Sequence, residues 1–360
     1  AGFTTAVLLG IGGSTLAAEM FVRCFGSETE SLDLKVLDST VPETILTMER
    51  TLDLERTLFI VASKSGRTVE ALCLYAYFRE KMEALVGDKA GSHFVAITDP
   101  GTNLGKLARE AGFRKTFLNP PTMGGRFSAL SYFGLAPAAL LGMDLDRLLM
   151  RAAQSVESAG PEVPALENQG MWLGTCLAEA SLDGKDKLSL IVSPRIACFG
   201  AWVEHLVAES CGKDGQGIIP IVDEPAGSPE VYGNDRLFVY LRIDDQGVYD
   251  EQISALERYG HSVITLRLHT AFDLGREIVR WQLAIAIAGI ILGINPFDEP
   301  DAAQTEHRTR ELLEKYHREQ ELPEGEYVSV DDPALVDALR SFLGDAHAGD
   351  FLAFQAFIHP

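Results

Sequence analysis

Short runs that are apolar at every position alternate with stretches of helical spacing through the first 120 residues. This rhythm predicts strands near 5–10, 33–38, 57–62, 93–98 and 115–118, with helices over Leu16–Phe25 and from about Val69. A run such as Leu58-Phe-Ile-Val-Ala62 leaves neither face of its strand polar, which is what a parallel sheet wrapped by helices requires. An apolar helix over Leu130–Leu141 closes this part, and Asp144–Pro164 reads as a helix plus a connection. From about residue 165 the rhythm resumes. A helix is expected over Met171–Ala180, a strand over Leu188–Ser193, a helical stretch over 202–213, and strands near Gly217–Val222, Leu237–Arg242 and Ser262–Leu268. A long helix over Asp273–Leu292, a charged surface helix over Ala302–Arg318 and a strand, helix and strand between Tyr327 and Ile358 complete the pattern.

The expected fold is therefore α/β, with two doubly wound parallel-sheet domains at 1–148 and 149–325 and a strand–helix–strand extension at 326–360. The chain opens directly on the strand Thr5-Ala-Val-Leu-Leu-Gly10 and closes on Phe351-Leu-Ala-Phe-Gln-Ala-Phe-Ile358. Such abrupt ends lead us to expect an excerpt of a longer polypeptide, with the extension incomplete.

Composition acts mainly by exclusion. A net charge of -21 and a pI near 4.8 argue against a nucleic-acid surface, so an anionic ligand has to be held by local donors against the overall field. The five cysteines lack paired metal-ligand spacing and are odd in number, so neither a disulfide framework nor a zinc site is expected and a reducing cytoplasm fits. The longest apolar stretch, Leu283–Ile294, is too short to span a bilayer, and no segment reads as a signal peptide.

Four stretches carry chemistry. Gly10-Ile-Gly12-Gly13-Ser14-Thr15 joins a strand to a helix, so its amides and hydroxyl form either an anion or sugar cradle or a glycine turn used for tight packing. It lacks the spacing of the dinucleotide and Walker loops. Ser63-Lys64-Ser65-Gly66-Arg67-Thr68 crowds three hydroxyls, an amine and a guanidinium into the next such turn, the donor set a phosphate monoester needs, where a simple helix cap needs one hydroxyl. Gly124 and Gly125 precede Arg126, which they aim either into the crevice or at an ion-pair partner. In Trp202–Lys213, Glu209 falls in the last turn before the Gly212 break. The helix dipole there disfavours a carboxylate's charge, a setting suited to a group that takes and returns a proton, although a solvated surface Glu fits the same spacing.

Gly-Ile-Gly-Gly-Ser at 10–14, Ser-Lys-Ser-Gly-x-Thr at 63–68, Gly-Gly-Arg-Phe-Ser at 124–128, Glu-Ser-x-Gly-Lys at 209–213 and Ile-Asn-Pro-Phe-Asp at 294–298 stand in the order found in glucose-6-phosphate isomerases, which the chain resembles over nearly its whole length. The wording around Trp202–Lys213, Glu230–Tyr240 and the tail from Gly349 is more similar to the isomerase half of bifunctional transaldolase/glucose-6-phosphate isomerases. The resemblance implies two sugar-isomerase (SIS) domains, flavodoxin-like three-layer αβα sandwiches. It implies interconversion of glucose 6-phosphate and fructose 6-phosphate with neither metal nor nucleotide cofactor. By the same resemblance Glu209 shuttles the proton between C1 and C2, Arg126 steadies the enediolate, Ser63, Lys64, Ser65 and Thr68 grip the phosphate, and Gly12, Gly13 and Ser14 line the sugar. The expected partners are a hexose 6-phosphate, a homo-oligomer and a fused transaldolase, with no nucleic acid and no membrane.

Three positions depart from the family. Arg67 stands where a Thr is usual, Tyr232 is nearest to the place of the ring-opening His, and Glu306, followed by His307, stands where a Lys is expected. The histidines available for ring opening within the chain are His205, His261, His269 and His307, and none has a pattern that selects it. A sugar-phosphate-binding module without turnover is therefore the alternative function.

Overall fold

The computed structural model describes residues 2–26, 31–213, 215–225, 227–321 and 328–347, together with Leu352, Phe354 and Ala356. Two parallel sheets dominate it. The first joins β1 (Thr5–Leu9), β2 (Asp33–Leu37), β3 (Thr57–Ala62), β4 (Phe94–Thr98) and β5 (Lys115–Leu118) in the order β2-β1-β3-β4-β5. The second joins β6 (Lys187–Val192), β7 (Ile219–Ile221), β8 (Arg236–Ile243) and β9 (Ser262–Leu268) in the order β7-β6-β8-β9. Every pairing within these two sheets is parallel. Both sheets are thus doubly wound, and the apolar runs lie where their spacing put them.

Alternation along each strand sorts its side chains between layers. Ala6 and Leu8 of β1, with Ile60 and Ala62 of β3, join one core, while Val7, Leu9, Phe59 and Val61 join the core on the opposite face. The first core is shared. It runs through α1 (Leu16–Phe25), α5 (Tyr132–Leu140), α6 (Leu145–Glu157), α7 (Gln169–Leu182), α8 (Phe199–Cys211) and α10 (Leu274–Leu292) to Leu237, Val239 and Leu241 of β8. The outer face of the first sheet carries α2 (Pro42–Arg50), α3 (Val69–Val86) and α4 (Asn103–Glu110), and that of the second carries α9 (Asp250–Tyr259) over Phe238 and Tyr240. A helical layer between the sheets therefore serves both of them.

Ala1–Asp298 forms one compact unit that contains both sheets. Glu299–Pro360 forms another, within which α11 (Pro300–Glu319) and α12 (Ala334–Gly344) are helical. On α11, Glu306 pairs with Arg310 at 2.7 Å and His307 with Glu311 at 3.3 Å, and all four lie on an exposed helix face. The closing strand expected at 351–358, and Tyr327, fall largely outside the described residues, and the strand expected before α12 does not form over 328–330. Among the described residues no helix is long and apolar enough to cross a membrane.

Candidate active site

The sheet order places the crevice. The helix after β1 packs on one face of the first sheet and the helix after β3 on the other, so the chain parts between the carboxyl ends of these neighbouring strands. Gly10 lies so close to Ala62 that a Cβ on it would stand 2.9 Å from the Ala62 carbonyl oxygen. The two motif turns thus start side by side.

In the first turn, Gly12 has φ +55°, a conformation glycine adopts freely, and Gly13 has no room for a side chain. A Cβ on Gly13 would lie 2.6 Å from the Gly125 carbonyl carbon and 2.8 Å from the Arg126 nitrogen. Tight packing of two loops accounts for this glycine, and the contact fixes where Arg126 enters. Ser14 is half-buried beside it.

In the second turn, the buried Ser63 hydroxyl shares a hydrogen bond of 2.8 Å with the Thr68 hydroxyl at the start of α3. Ser65 is exposed, and its hydroxyl accepts from the Arg67 amide at 3.2 Å. Gly66 lies at φ +65°, with Thr102 and Leu104 where a Cβ would go. Lys64 differs from the expectation of a cation shared among ligand donors: its ammonium donates to Asp99 at the end of β4 at 2.8 Å. Asp99 is nearly buried, so Lys64 neutralises a carboxylate that would otherwise be stranded. Sequence reasoning passed over Asp99, although its place at a strand end, one strand from Lys64, is the available signal.

Arg126 is buried, and its guanidinium fork ties three segments together. Its Nε donates to the Ser210 hydroxyl at 2.7 Å, and its Nη2 donates to the carbonyls of Pro296 at 2.7 Å and Asp298 at 2.8 Å. Its Nη1 stands 3.5 Å from Oε2 of Glu209. The arginine is thus clamped by Ser210 and two carbonyls while its Nη1 faces the Glu209 carboxylate. Lys213 reaches the same turn: its ammonium donates to the Asn295 carbonyl at 2.6 Å, to the Asp298 carbonyl at 2.8 Å and to the Asp298 carboxylate. The Glu-Ser-x-Gly-Lys run is thereby divided among tasks. Ser210 and Lys213 lock α8 to the 295–298 turn, Gly212 avoids a Cβ that would stand 2.8 Å from the Ala208 carbonyl oxygen, and Glu209 is left facing outward.

Glu209 is 42% exposed in the last turn of α8, bracketed by two cations or potential cations. One is Arg126. The other is His205, one helical turn earlier, whose Nδ1 is 3.6 Å from Oε1 and whose ring lies 3.7 Å from the Cβ position of Gly12. Glu204, the other carboxylate of α8, is in different surroundings, where burial and the charge of Asp223 push its carboxyl above the ordinary range. Tyr232 is engaged elsewhere: its hydroxyl accepts from the Gly227 amide at 2.8 Å, and its ring packs on Phe238. Among the described residues, no group of three or more His, Cys, Asp or Glu side chains gathers as a metal site would need.

Two doubly wound parallel sheets in tandem, with the motif turns at the first switch point, define the sugar-isomerase class of α/β proteins. Solved structures agree. A hypothetical protein from Thermus thermophilus superposes with a TM-score of 0.78 at 28% identity over 86% of this chain and 84% of that one. A glucose-6-phosphate isomerase from Chlamydia trachomatis gives 0.74 at 19% identity over 95% and 73%, a likeness of fold. The chain belongs to the phosphoglucose isomerase family, whose sequence profile matches residues 2–233. Its relatives include a probable glucose-6-phosphate isomerase of Methanococcus maripaludis, 28% identical over 91% of this chain and 83% of that protein. The glucose-6-phosphate isomerase of Thermus thermophilus is 36% identical over 59% of this chain and 50% of its own length.

Proposed function

We propose that this protein interconverts glucose 6-phosphate and fructose 6-phosphate through a cis-enediol(ate), with Glu209 as the base and Arg126 stabilising the charge that develops on oxygen. The observation that carries the reading is the facing pair itself, an exposed carboxylate 3.5 Å from a buried, rigidly held guanidinium. Moving hydrogen between adjacent carbons on one face of an enediol needs one base that reaches both, and a single carboxylate pivoting over C2 and C1 meets that need. The oxygen at C1 or C2 becomes negative only as the carbon acid ionises. A guanidinium whose other donors already hold protein carbonyls and Ser210 is preorganised for that charge and reorganises little during the step.

The phosphate belongs on the 63–68 turn, where Ser63, Ser65, Thr68 and the free amides at the start of α3 supply neutral donors and the helix dipole favours an anion. Lys64 contributes its field from a fixed place beside Asp99. Gly12, Gly13 and Ser14 form the wall between the base and the phosphate turn. As part of the same reading, the two sheets act as two sugar-isomerase domains, 1–148 and 149–325, with 326–360 as an extension, in a cytoplasmic enzyme.

The test is Glu209→Gln, which keeps the shape and removes the basicity. The variant should still bind a 6-phosphosugar, yet exchange the C2 hydrogen with solvent about two to four orders of magnitude more slowly. Exchange at the wild-type rate would place the proton carrier elsewhere. A wild-type protein that binds fructose 6-phosphate without converting it in a coupled assay would leave the binding-module alternative.

A further inference from the structure

A cavity of about 320 Å³ opens at the edge of the second sheet and shares no residue with the crevice described above. It is lined by Gln169 and Trp172 of α7, Thr265 and Arg267 of the edge strand β9, and Arg276 and Arg280 of α10. Three guanidinium groups around one cavity run against the character of a chain whose net charge is -21. Close helix packing builds the place. A Cβ on Gly170 would stand 2.7 Å from Leu283, and one on Gly174 2.2 Å from the Ala284 carbonyl oxygen, so α7 lies tightly on α10 and Gln169 accepts from Arg280.

The carboxylates nearby do not use up these cations. Behind the cavity, the fully buried Asp273 and Glu277 are shared by three arginines. Arg151 approaches Asp273 at 3.2 Å, Arg280 approaches Glu277 at 2.9 Å, and Arg276 stands 3.9 Å from Asp273 and 3.6 Å from Glu277. That group keeps one positive charge in excess. Arg267 adds its own, shared with Asp244 and Asp250. Arg280 is buried and held by Glu277 and Gln169, whereas Arg276 is half-buried and its Nη2 donates to the Arg267 carbonyl at 3.1 Å. Its two carboxylate approaches are too long for hydrogen bonds, so most of its N–H donors lack an acceptor among the described residues.

We propose that this cavity is a second binding site, for a small phosphorylated metabolite whose phosphate group sits on Arg276 and Arg267 and whose organic part lies against the exposed Trp172 indole. A planar guanidinium with unused donors matches the oxygens of a phosphate, and excess positive charge favours a dianion over a singly charged carboxylate. The volume is that of about ten waters at roughly 30 Å³ each, more than a bare phosphate fills, which leaves room for a body of a few carbons. The site is independent of the isomerase reading, and its test needs no turnover.

The tryptophans give a local readout, because Trp202 and Trp281 are buried while Trp172 is exposed at the cavity. Protein labelled with fluorotryptophan is titrated with glycerol 3-phosphate at constant ionic strength, and fluorine NMR follows the Trp172 resonance, assigned with Trp172→Phe. The protein carries Ser63→Ala and Ser65→Ala, so that phosphate held on the 63–68 turn does not contribute. The resonance should move along a saturating curve, and glycerol alone should leave it in place. Arg276→Gln should weaken the binding about tenfold or more. If that variant does not fold, Arg267→Gln, at an exposed position, should weaken it about threefold. A resonance that stays in place, a shift that never saturates, an equal response to glycerol, or an unchanged curve in the arginine variant would each overturn the site.

Discussion

Gly13→Ala tests whether the geometry of the crevice, and not merely its composition, sets the activity. The added Cβ would stand 2.6 Å from the Gly125 carbonyl carbon, 0.8 Å short of the 3.4 Å at which ordinary contact begins. The atoms it meets are backbone, so no side chain can swing aside. The 124–126 loop must retreat by most of that distance, and Arg126 moves with it. Its guanidinium is anchored at the far end by Ser210, Pro296 and Asp298, so the strain is divided between the clamp and the 3.5 Å approach to Glu209. Overpacking of this kind costs about 1–3 kcal/mol of stability. A misplacement approaching 1 Å at a reacting pair lowers turnover by about tenfold to a hundredfold. The assay is turnover of fructose 6-phosphate in a coupled assay alongside denaturant unfolding, with Gly125→Ala as the control. Gly125 lies next along the same contact, yet a Cβ there meets nothing within 4 Å, so that variant should remain within about 0.5 kcal/mol and close to full activity. Equal behaviour of the two variants would refute the argument that the Gly13–Gly125 approach positions Arg126.

Ser210→Ala leaves the buried Arg126 Nε without its acceptor and should cost about 1.5–3 kcal/mol, read from the denaturant midpoint; a loss under about 0.5 kcal/mol would mean that water replaces the hydroxyl. Replacing Ser63 and Ser65 together by Ala should weaken a 6-phosphosugar far more than the free sugar, and equal losses measured by calorimetry would remove the phosphate from this turn. For pH, the carboxylate of Glu49 accepts a hydrogen bond from Tyr77, which, with the ammonium of Lys81 at 2.9 Å, holds its carboxyl below the ordinary value. A folded value below the unfolded one means that the stabilisation is present above the unfolded pKa of about 4.3 and is lost as pH falls through the folded value. Glu49→Gln should therefore lose less stability than the wild type between about pH 6 and pH 3, and parallel pH curves for the two proteins would contradict the assignment.

Much of the architecture is a local property of the chain, and local properties can be read in order along it. Strands β1, β3 and β4 stand where apolar runs put them, because a strand buried on both faces must be apolar at successive positions. Helices α1 and α3 begin at Leu16 and Val69, at the ends of the two motif turns. The expected strand at 217–222 shortens to Ile219–Ile221, an edge strand, where Pro220 can be tolerated without its N–H. The motif turns are legible for the same reason: a strand-to-helix turn crowded with glycines and hydroxyls is visible without knowing what faces it.

What faces it was decided only by the tertiary structure. Arg126 meets Ser210 at 84 positions' remove and the Asp298 carbonyl at 172, separations across which periodicity carries no information. The same is true of Gly13, whose missing side chain is matched to the backbone of Gly125, and of Lys64, whose charge is held by Asp99 on the neighbouring strand. Sequence showed that Glu209 lies in a helix's last turn and that His205 lies one turn before it. That His205 stands against Gly12 and Glu209 against Arg126 follows from how α8 packs between the two sheets, where Trp202, Leu206 and Val207 are buried in the shared core.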